Sequence, residues 1–183
     1  MHKQISNDIA RARKFHGCTR FIDDMCCLND SGEFGKSYNE IYPDDLQLKC
    51  EHRGNHATFL DLDITIEDGV FVYKLFDKRD DFPFHIVRMP DRGSNIPSYI
   101  FYGTVLSEYL RIARSTLRLN DFIPRVSSLV VRMLNQGGQY FKLFKQFNKA
   151  MMRYPDPFTR YNMTPNNIIL EIKHHLNLRH GGT

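Results

Sequence analysis

Arg20-Phe21-Ile22-Asp23-Asp24-Met25-Cys26-Cys27 is the stretch that decides how the front of this chain folds. Two adjacent carboxylates lie between two short apolar runs, which is the pattern of a β-hairpin with an acidic pair at its tip. We expect Asp23 and Asp24 to form a two-residue turn, because aspartate tolerates the left-handed backbone that tight turns need. Carboxylate oxygens are the ligands that Mg²⁺ prefers, so this tip is a candidate metal site.

The residues around this hairpin predict further strands and one short helix in the front part of the chain. Residues 1–14 indicate a short helix or a frayed end, and 33–42 indicate a short helix that Pro43 terminates. Residues 46–50 alternate between apolar and polar, as a strand does. Residues 59–76 predict a second hairpin that turns at Glu67-Asp68-Gly69, because Asp-Gly is a strong hairpin signal.

The back half of the chain has the periodicity of helices. Residues 77–103 contain three prolines and two glycines, which predicts an irregular connector. Helices are expected over 104–117, from Pro124 to the Gly137-Gly138 pair, over 139–153 and over 166–176. The predicted fold is therefore α+β. It comprises an antiparallel sheet with one short helix over 1–76, a linker over 77–103 and a helical bundle over 104–183.

The net charge of +4 conceals an uneven distribution of charge along the chain. Residues 1–76 hold 9 Lys and Arg against 13 Asp and Glu, whereas residues 77–183 hold 16 against 8. An acidic front half is suited to hold cations, and a basic back half is suited to bind a polyanion such as nucleic acid. A solvated basic helical face is the alternative, and composition alone leaves both open.

Composition also indicates the cellular setting. No apolar run approaches the roughly 20 residues of a membrane span, and the first 20 residues lack the apolar core of a secretory signal. The four cysteines are read as reduced thiols rather than as a disulfide framework. These features predict an intracellular protein of the cytoplasm or nucleus without a membrane partner.

Several segments together resemble a family of polymerases. Arg20-Phe21-Ile22-Asp23-Asp24 resembles the aromatic-x-Asp-Asp signature of reverse transcriptases, with Phe21 where tyrosine is commoner. The stretch from Phe59-Leu60-Asp61-Leu62 through Gly69 to Tyr73-Lys74 is similar to a block of Penelope-like and related retroelement polymerases. Asn95-Ile96-Pro97, Arg111-Ile112 and Leu134-Asn135-Gln136-Gly137-Gly138 are similar to the thumb region of that family. The resemblance spans roughly residues 15–155.

The resemblance implies an RNA-directed DNA polymerase that transfers nucleotides with two divalent ions, Mg²⁺ or Mn²⁺. Asp23 would be the direct metal ligand, and Asp24 would support the site or bridge to the second ion. The second hairpin would grip the primer, and the helices would follow the phosphate backbone of a template–primer duplex. The matching residues are Phe71, Tyr73 and Lys74 for the grip, and Arg111, Arg114, Arg118, Lys142, Lys145 and Lys149 for the backbone. Ordinary sheet packing for Phe71 and Tyr73, and a solvated face for the basic stripes, are the alternatives.

A reverse transcriptase palm also needs an earlier strand with a metal-binding aspartate, and a fingers region. The residues before Asp23 are expected not to supply them, because Asp8 is the one carboxylate there. We therefore expect the C-terminal palm and thumb of such an enzyme, inactive alone, with an N-terminal fingers and palm segment as its missing partner. A non-catalytic nucleic-acid-binding module and a small Mg²⁺-dependent nuclease remain open as other functions.

Two smaller clusters resemble binding sites in their residue types but have simpler structural interpretations. Cys50, His52 and His56 have zinc-ligand chemistry, but three ligands at this spacing are more typical of a loop with incidental histidines. Asp61 and Asp63 alternate with apolar residues and are read as the polar side of a half-buried strand. The first hairpin is expected to have an open edge, so the front half is predicted to be less stable than the helices.

Overall fold

The computed structural model describes residues 17–28, 32–42, 45, 47–84, 86 and 89–180. The helix or frayed end predicted over 1–14 lies outside these residues. The described part confirms the α+β fold class, with antiparallel strands early in the chain and helices later. It divides into two compact units, Met1–Leu60 and Asp61–Thr183. The second hairpin therefore belongs with the helices, whereas the sequence predicted a boundary within 77–103.

The first unit contains a hairpin, a short helix and one further strand among its described residues. Its elements are β1 (Cys18–Phe21), β2 (Asp24–Cys27), α1 (Glu33–Ile41) and β3 (His56–Phe59). Phe34 and Tyr38 are buried on one face of α1, and the Tyr38 ring stacks on Tyr42 with 4.8 Å between centroids. The Arg20 guanidinium lies 5.0 Å from the centre of the Tyr42 ring, which ties β1 to the end of α1.

The helix predicted over 33–42 is confirmed to within one residue. The strand predicted over 46–50 is wrong for residues 47–50, which are the part of it that the structure describes. Residues 47–50 have no regular structure and all four are exposed. Apolar alternation produces a strand only when one face is buried, and Leu48 remains accessible to solvent here.

The second unit opens with the hairpin of β4 (Leu62–Glu67) and β5 (Val70–Leu75). The two strands pair antiparallel from Leu62 opposite Leu75 to Glu67 opposite Val70. Asp68 and Gly69 form the turn with φ values of 51° and 78°, as the Asp-Gly signal predicts. The hairpin joins the helical core through buried Leu75 and through the Leu117 amide, which donates to the Tyr73 carbonyl at 2.9 Å.

Five α-helices and a short 3₁₀ helix follow within the described residues. They are the 3₁₀ helix Lys78–Asp81, α2 (Ser98–Arg114), α3 (Leu119–Asn135), α4 (Tyr140–Arg153), α5 (Asp156–Thr159) and α6 (Pro165–His180). The core between them is rich in aromatic rings, with Phe122 packed against Phe147, Phe158 and Tyr161 at centroid distances of 4.7–6.3 Å. None of the described helices is both long and apolar enough to cross a membrane.

Two helix starts differ from the prediction, and both differences involve proline. α2 begins at Ser98 rather than Thr104, because Pro97 occupies the position just before the first helical residue. α3 begins at Leu119, so Pro124 lies inside the helix rather than opening it. Phe122 and Ile123 precede this proline and are buried, and the burial of two large apolar side chains offsets one missing backbone hydrogen bond.

Candidate metal and nucleic-acid sites

The acidic pair lies at the tip of the β1–β2 hairpin. The strands pair with Phe21 opposite Asp24, which leaves Ile22 and Asp23 as the two turn residues. The predicted Asp23-Asp24 turn is therefore wrong by one position, and Asp24 is the first residue of β2. Arg20 Nε donates to the Ile22 carbonyl at 2.7 Å, and this bond holds the turn at the observed position.

The backbone of the tip is strained at Ile22. Its φ is 54°, in the left-handed region that β-branched residues rarely adopt. The side chain is 74% exposed, so burial does not offset the strain. Strain of this kind is concentrated at functional sites, which makes the tip a stronger candidate than an ordinary solvent turn.

The donor set of the tip fits a hard divalent cation. Asp23 and Asp24 are both exposed, and in the described part of the chain neither carboxylate has a salt bridge or a side-chain hydrogen bond. The described residues contain no group of three or more His, Cys, Asp or Glu side chains able to hold a metal ion. A Mg²⁺ ion at Asp23 and Asp24 would therefore take its other ligands from water and phosphate oxygens, as Mg²⁺ commonly does.

In the second hairpin, the three residues predicted to grip a primer have different surroundings. The Tyr73 hydroxyl accepts a hydrogen bond from Arg160 Nη1 at 3.0 Å, and Lys74 pairs with Asp63 across the strands at 3.5 Å. Phe71 is exposed on β5. Tyr73 is thus held by the helical region, whereas Phe71 has an accessible ring.

Two of the six basic residues predicted to bind a phosphate backbone are engaged by acidic side chains. Arg111 Nη1 lies 2.9 Å from an Asp61 carboxylate oxygen and its Nε lies 3.3 Å from Glu108. The guanidinium of Arg118 donates to both oxygens of Glu67, at 3.2 and 2.5 Å. These two arginines therefore connect the β4–β5 hairpin to the helices.

The other four basic residues have no acidic partner within the described residues. Arg114, Lys145 and Lys149 are exposed, and the Lys142 ammonium lies 5.7 Å from the centre of the Tyr102 ring. A basic side chain without an internal counter-ion can bind phosphate without first breaking an ion pair within the protein.

A groove lies between α2 and α4, and of the six residues predicted to bind a phosphate backbone it contains Lys149. We call it the tyrosine groove; it has a volume of about 670 Å³. It is lined by Ser98, Tyr99, Tyr102, Gly103, Leu106, Gln146, Lys149, Arg153 and Tyr154. The prediction of an irregular linker over 77–103 does not place Tyr99 and Tyr102 on a helix, whereas the structure has them in α2. The available signal was Pro97, which is common at helix starts.

A buried cluster of charged side chains around Asp77 was also not predicted from the sequence. Asp77 is 7% exposed, and its carboxylate accepts two side-chain hydrogen bonds from Arg79. Arg125 and Arg132 lie 3.7 and 3.6 Å from the same carboxylate. Burial acts to raise the pKa of Asp77, but the hydrogen bonds and charge of Arg79, with the charge of Arg132, hold it well below its usual range.

The Cys50, His52 and His56 group shows local contacts. Arg53 Nε lies 3.3 Å from the Cys50 sulfur, and His52 Nε2 lies 3.1 Å from the Thr58 hydroxyl. The His52 and His56 rings meet edge to face at 6.4 Å. His56 and Thr58 belong to β3, so the contacts of His52 join the segment before this strand to its start.

Comparison of the chain with protein-family models, with curated proteins and with solved structures gave no match. The resemblance to reverse transcriptases therefore depends on the sequence motifs themselves.

Proposed function

We propose that this chain provides the palm hairpin and the thumb of a retroelement reverse transcriptase. In an enzyme completed by a fingers and palm segment, Asp23 and Asp24 would hold Mg²⁺ for nucleotidyl transfer, and the helices of the second unit bind the template–primer duplex. The observation that supports this most is the tip of the first hairpin, where two exposed adjacent carboxylates follow a residue with a left-handed backbone.

The chemistry of the tip follows from the electrostatics of its two carboxylates. Two ionised carboxylates on successive residues repel each other, and a divalent cation converts that repulsion into attraction. When bound, the metal supplies charge stabilisation for the attacking and leaving oxygens of phosphoryl transfer. Asp23 and Asp24 would hold the metal, and phosphate oxygens of the substrate would complete its ligands.

Paramagnetic Mn²⁺ tests the metal assignment directly. Titration of Mn²⁺ into the isotopically labelled protein, with duplex present, should broaden the amide resonances of residues 21–26. Asp23→Asn and Asp24→Asn should abolish the broadening. Asp68→Asn is the matched control, because Asp68 is also an exposed aspartate in a two-residue hairpin turn. Broadening that is unchanged in the Asp23 and Asp24 variants, or equally lost in Asp68→Asn, contradicts the assignment.

Duplex binding tests the thumb assignment. Arg114→Gln should weaken binding of a template–primer duplex and lower the salt dependence by about one phosphate contact. Arg118→Gln should have a smaller effect, because Glu67 already pairs with this guanidinium. Duplex binding that depends on salt but is the same in wild type and Asp23→Asn, with or without Mg²⁺, would favour a non-catalytic binding module instead.

A further inference from the structure

We propose that the tyrosine groove binds unpaired nucleotides of a single-stranded nucleic acid, with bases stacked on tyrosine rings and phosphates held by Lys149 and Arg153. The inference rests on the proposed function, because it assigns a second nucleic-acid ligand to the same helical unit. It goes beyond that function, because the groove selects a single strand rather than the duplex.

The charge of the groove fits a polyanion. Its nine lining residues include Lys149 and Arg153 and no Asp or Glu. Neither cation has an acidic partner within the described residues, so both are available to phosphate. The Gln146 amide adds a neutral group that can donate to or accept from a base edge.

The aromatic side chains of the groove indicate an unpaired base. Tyr99 is 77% exposed, so its ring is accessible to a base, whereas Tyr154 is 39% exposed. The Arg153 guanidinium lies 5.6 Å from the centre of the Tyr154 ring, where it can contact both the ring and a phosphate. A basic groove with exposed aromatic rings is the arrangement that binds single strands, because duplex bases are already stacked on each other.

Contacts within the protein hold one wall of the groove at Tyr102. The Tyr102 hydroxyl accepts a hydrogen bond from the backbone N–H of Gln139 at 3.1 Å, and the Lys142 ammonium lies over the Tyr102 ring. The Tyr109 and Phe147 rings pack edge to face at 5.1 Å and join α2 to α4, the two helices that line the groove. Because Gln139 and Lys142 hold Tyr102, its side chain has little ordering entropy to lose when a ligand binds in the groove.

Fluorescence anisotropy with a short labelled oligothymidine tests the proposal, with a blunt duplex of mixed sequence as comparison. Tyr99→Ala should weaken oligothymidine binding about tenfold, the typical loss for one stacked base, and leave duplex binding nearly unchanged. Phe141→Ala is the matched control, because Phe141 is 75% exposed on α4 and does not line the groove. It should bind oligothymidine as the wild type does.

Arg153→Gln tests the phosphate contact. It should lower the dependence of oligothymidine binding on salt by somewhat less than one unit of the log–log slope. Lys78→Gln is its control, because it removes the same charge from an exposed residue outside the groove. Equal slopes for these two variants would overturn the phosphate assignment.

The outcomes separate this inference from the proposed function. If Tyr99→Ala binds oligothymidine like the wild type, or Phe141→Ala loses as much affinity, the groove assignment fails even where Arg114→Gln weakens duplex binding. The other outcome is that Tyr99→Ala selectively lowers the affinity for oligothymidine while Mn²⁺ broadens the same resonances in Asp23→Asn and Asp24→Asn as in the wild type. The groove assignment then holds and the polymerase assignment fails.

Discussion

Asp77 shows how one residue can connect several elements of the second unit. Asp77 follows β5 in the chain. Its carboxylate forms salt bridges with Arg79 of the 3₁₀ helix and with Arg125 and Arg132 of α3. Burial and the neighbouring arginines lower the pKa of Arg132, since the three guanidiniums repel each other. The buried carboxylate of Asp77 and the more exposed one of Asp80 balance these cations.

We predict that Asp77→Asn lowers the free energy of unfolding by roughly 3 kcal/mol, because it leaves partly buried arginines without their counter-charge. Asp80→Asn should cost less than about 1 kcal/mol, because the Asp80 side chain is 53% exposed and its salt bridge to Arg125, at 2.6 Å, is screened by solvent. Urea denaturation of both variants measures the difference. Equal losses of unfolding free energy in the two variants would show that the burial of Asp77 adds no stability beyond that of an exposed ion pair.

The same residue sets a dependence of stability on pH. The pKa of Asp77 is lower in the folded state than in the unfolded state, so the stabilisation is fully present above the ordinary aspartate value of about 4. It is lost as the pH falls toward the folded-state pKa. The wild type should therefore lose its advantage over Asp77→Asn below about pH 4, and a constant difference down to pH 2 would contradict this.

Ile22 gives a second prediction at the scale of one residue. Ile22→Gly should stabilise the β1–β2 hairpin by up to about 1 kcal/mol, because glycine adopts the φ of 54° without steric cost. Ile22→Val is the control, because valine is also β-branched and should leave the strain in place. Amide hydrogen exchange of residues 18–27 measures both, and faster exchange in Ile22→Gly than in Ile22→Val would contradict the strain.

At the scale of an element, the end of α3 is fixed by two glycines. The Gly137 amide donates to the Leu134 carbonyl at 3.0 Å, and the Gly138 amide donates to the Met133 carbonyl at 2.8 Å. Gly137 has a φ of 80°, so these contacts form a Schellman C-cap. The cap sets where the chain turns back toward α4.

We predict that Gly138→Ala destabilises the second unit by roughly 1–3 kcal/mol, because its Cβ would lie 2.6 Å from the Met133 carbonyl oxygen. Gly103→Ala is the control in the same unit, because its added Cβ meets no atom within 4 Å and it lies inside α2. It should stabilise by about 0.5–1 kcal/mol. Thermal unfolding followed by circular dichroism should give opposite shifts, and shifts of the same sign would contradict the cap.

The elements that sequence predicted well are those with a local signal. The Asp68-Gly69 turn and the Gly137-Gly138 stop follow from backbone preferences of the residues themselves. The tip of the first hairpin was misplaced by one residue, because aspartate is acceptable at either turn position and nothing local indicates a strained Ile22. The cluster around Asp77 depends on arginines far along the chain, and no local pattern reports such contacts.

At the scale of the whole molecule, the two units differ in how much apolar surface they bury. The continuous core cluster contains residues from Leu75 to Leu176, all within the second unit. Among the described residues of the first unit, the buried apolar side chains are Phe34 and Tyr38. Burial of apolar surface is the main favourable term in folding, so the second unit has far more stabilisation available.

We therefore predict that residues 61–183 fold alone, whereas the hairpin of the first unit opens without global unfolding. In the full chain, amides of residues 18–27 should exchange through local opening, and amides of α2 to α4 should exchange only through global unfolding. The fragment 61–183 should unfold cooperatively and keep the selective effect of Tyr99→Ala on oligothymidine. Equal protection of both units, or a fragment without a cooperative transition, would mean that the helical core depends on the first unit. In that case the acidic tip and the tyrosine groove would unfold together, as parts of one cooperative structure.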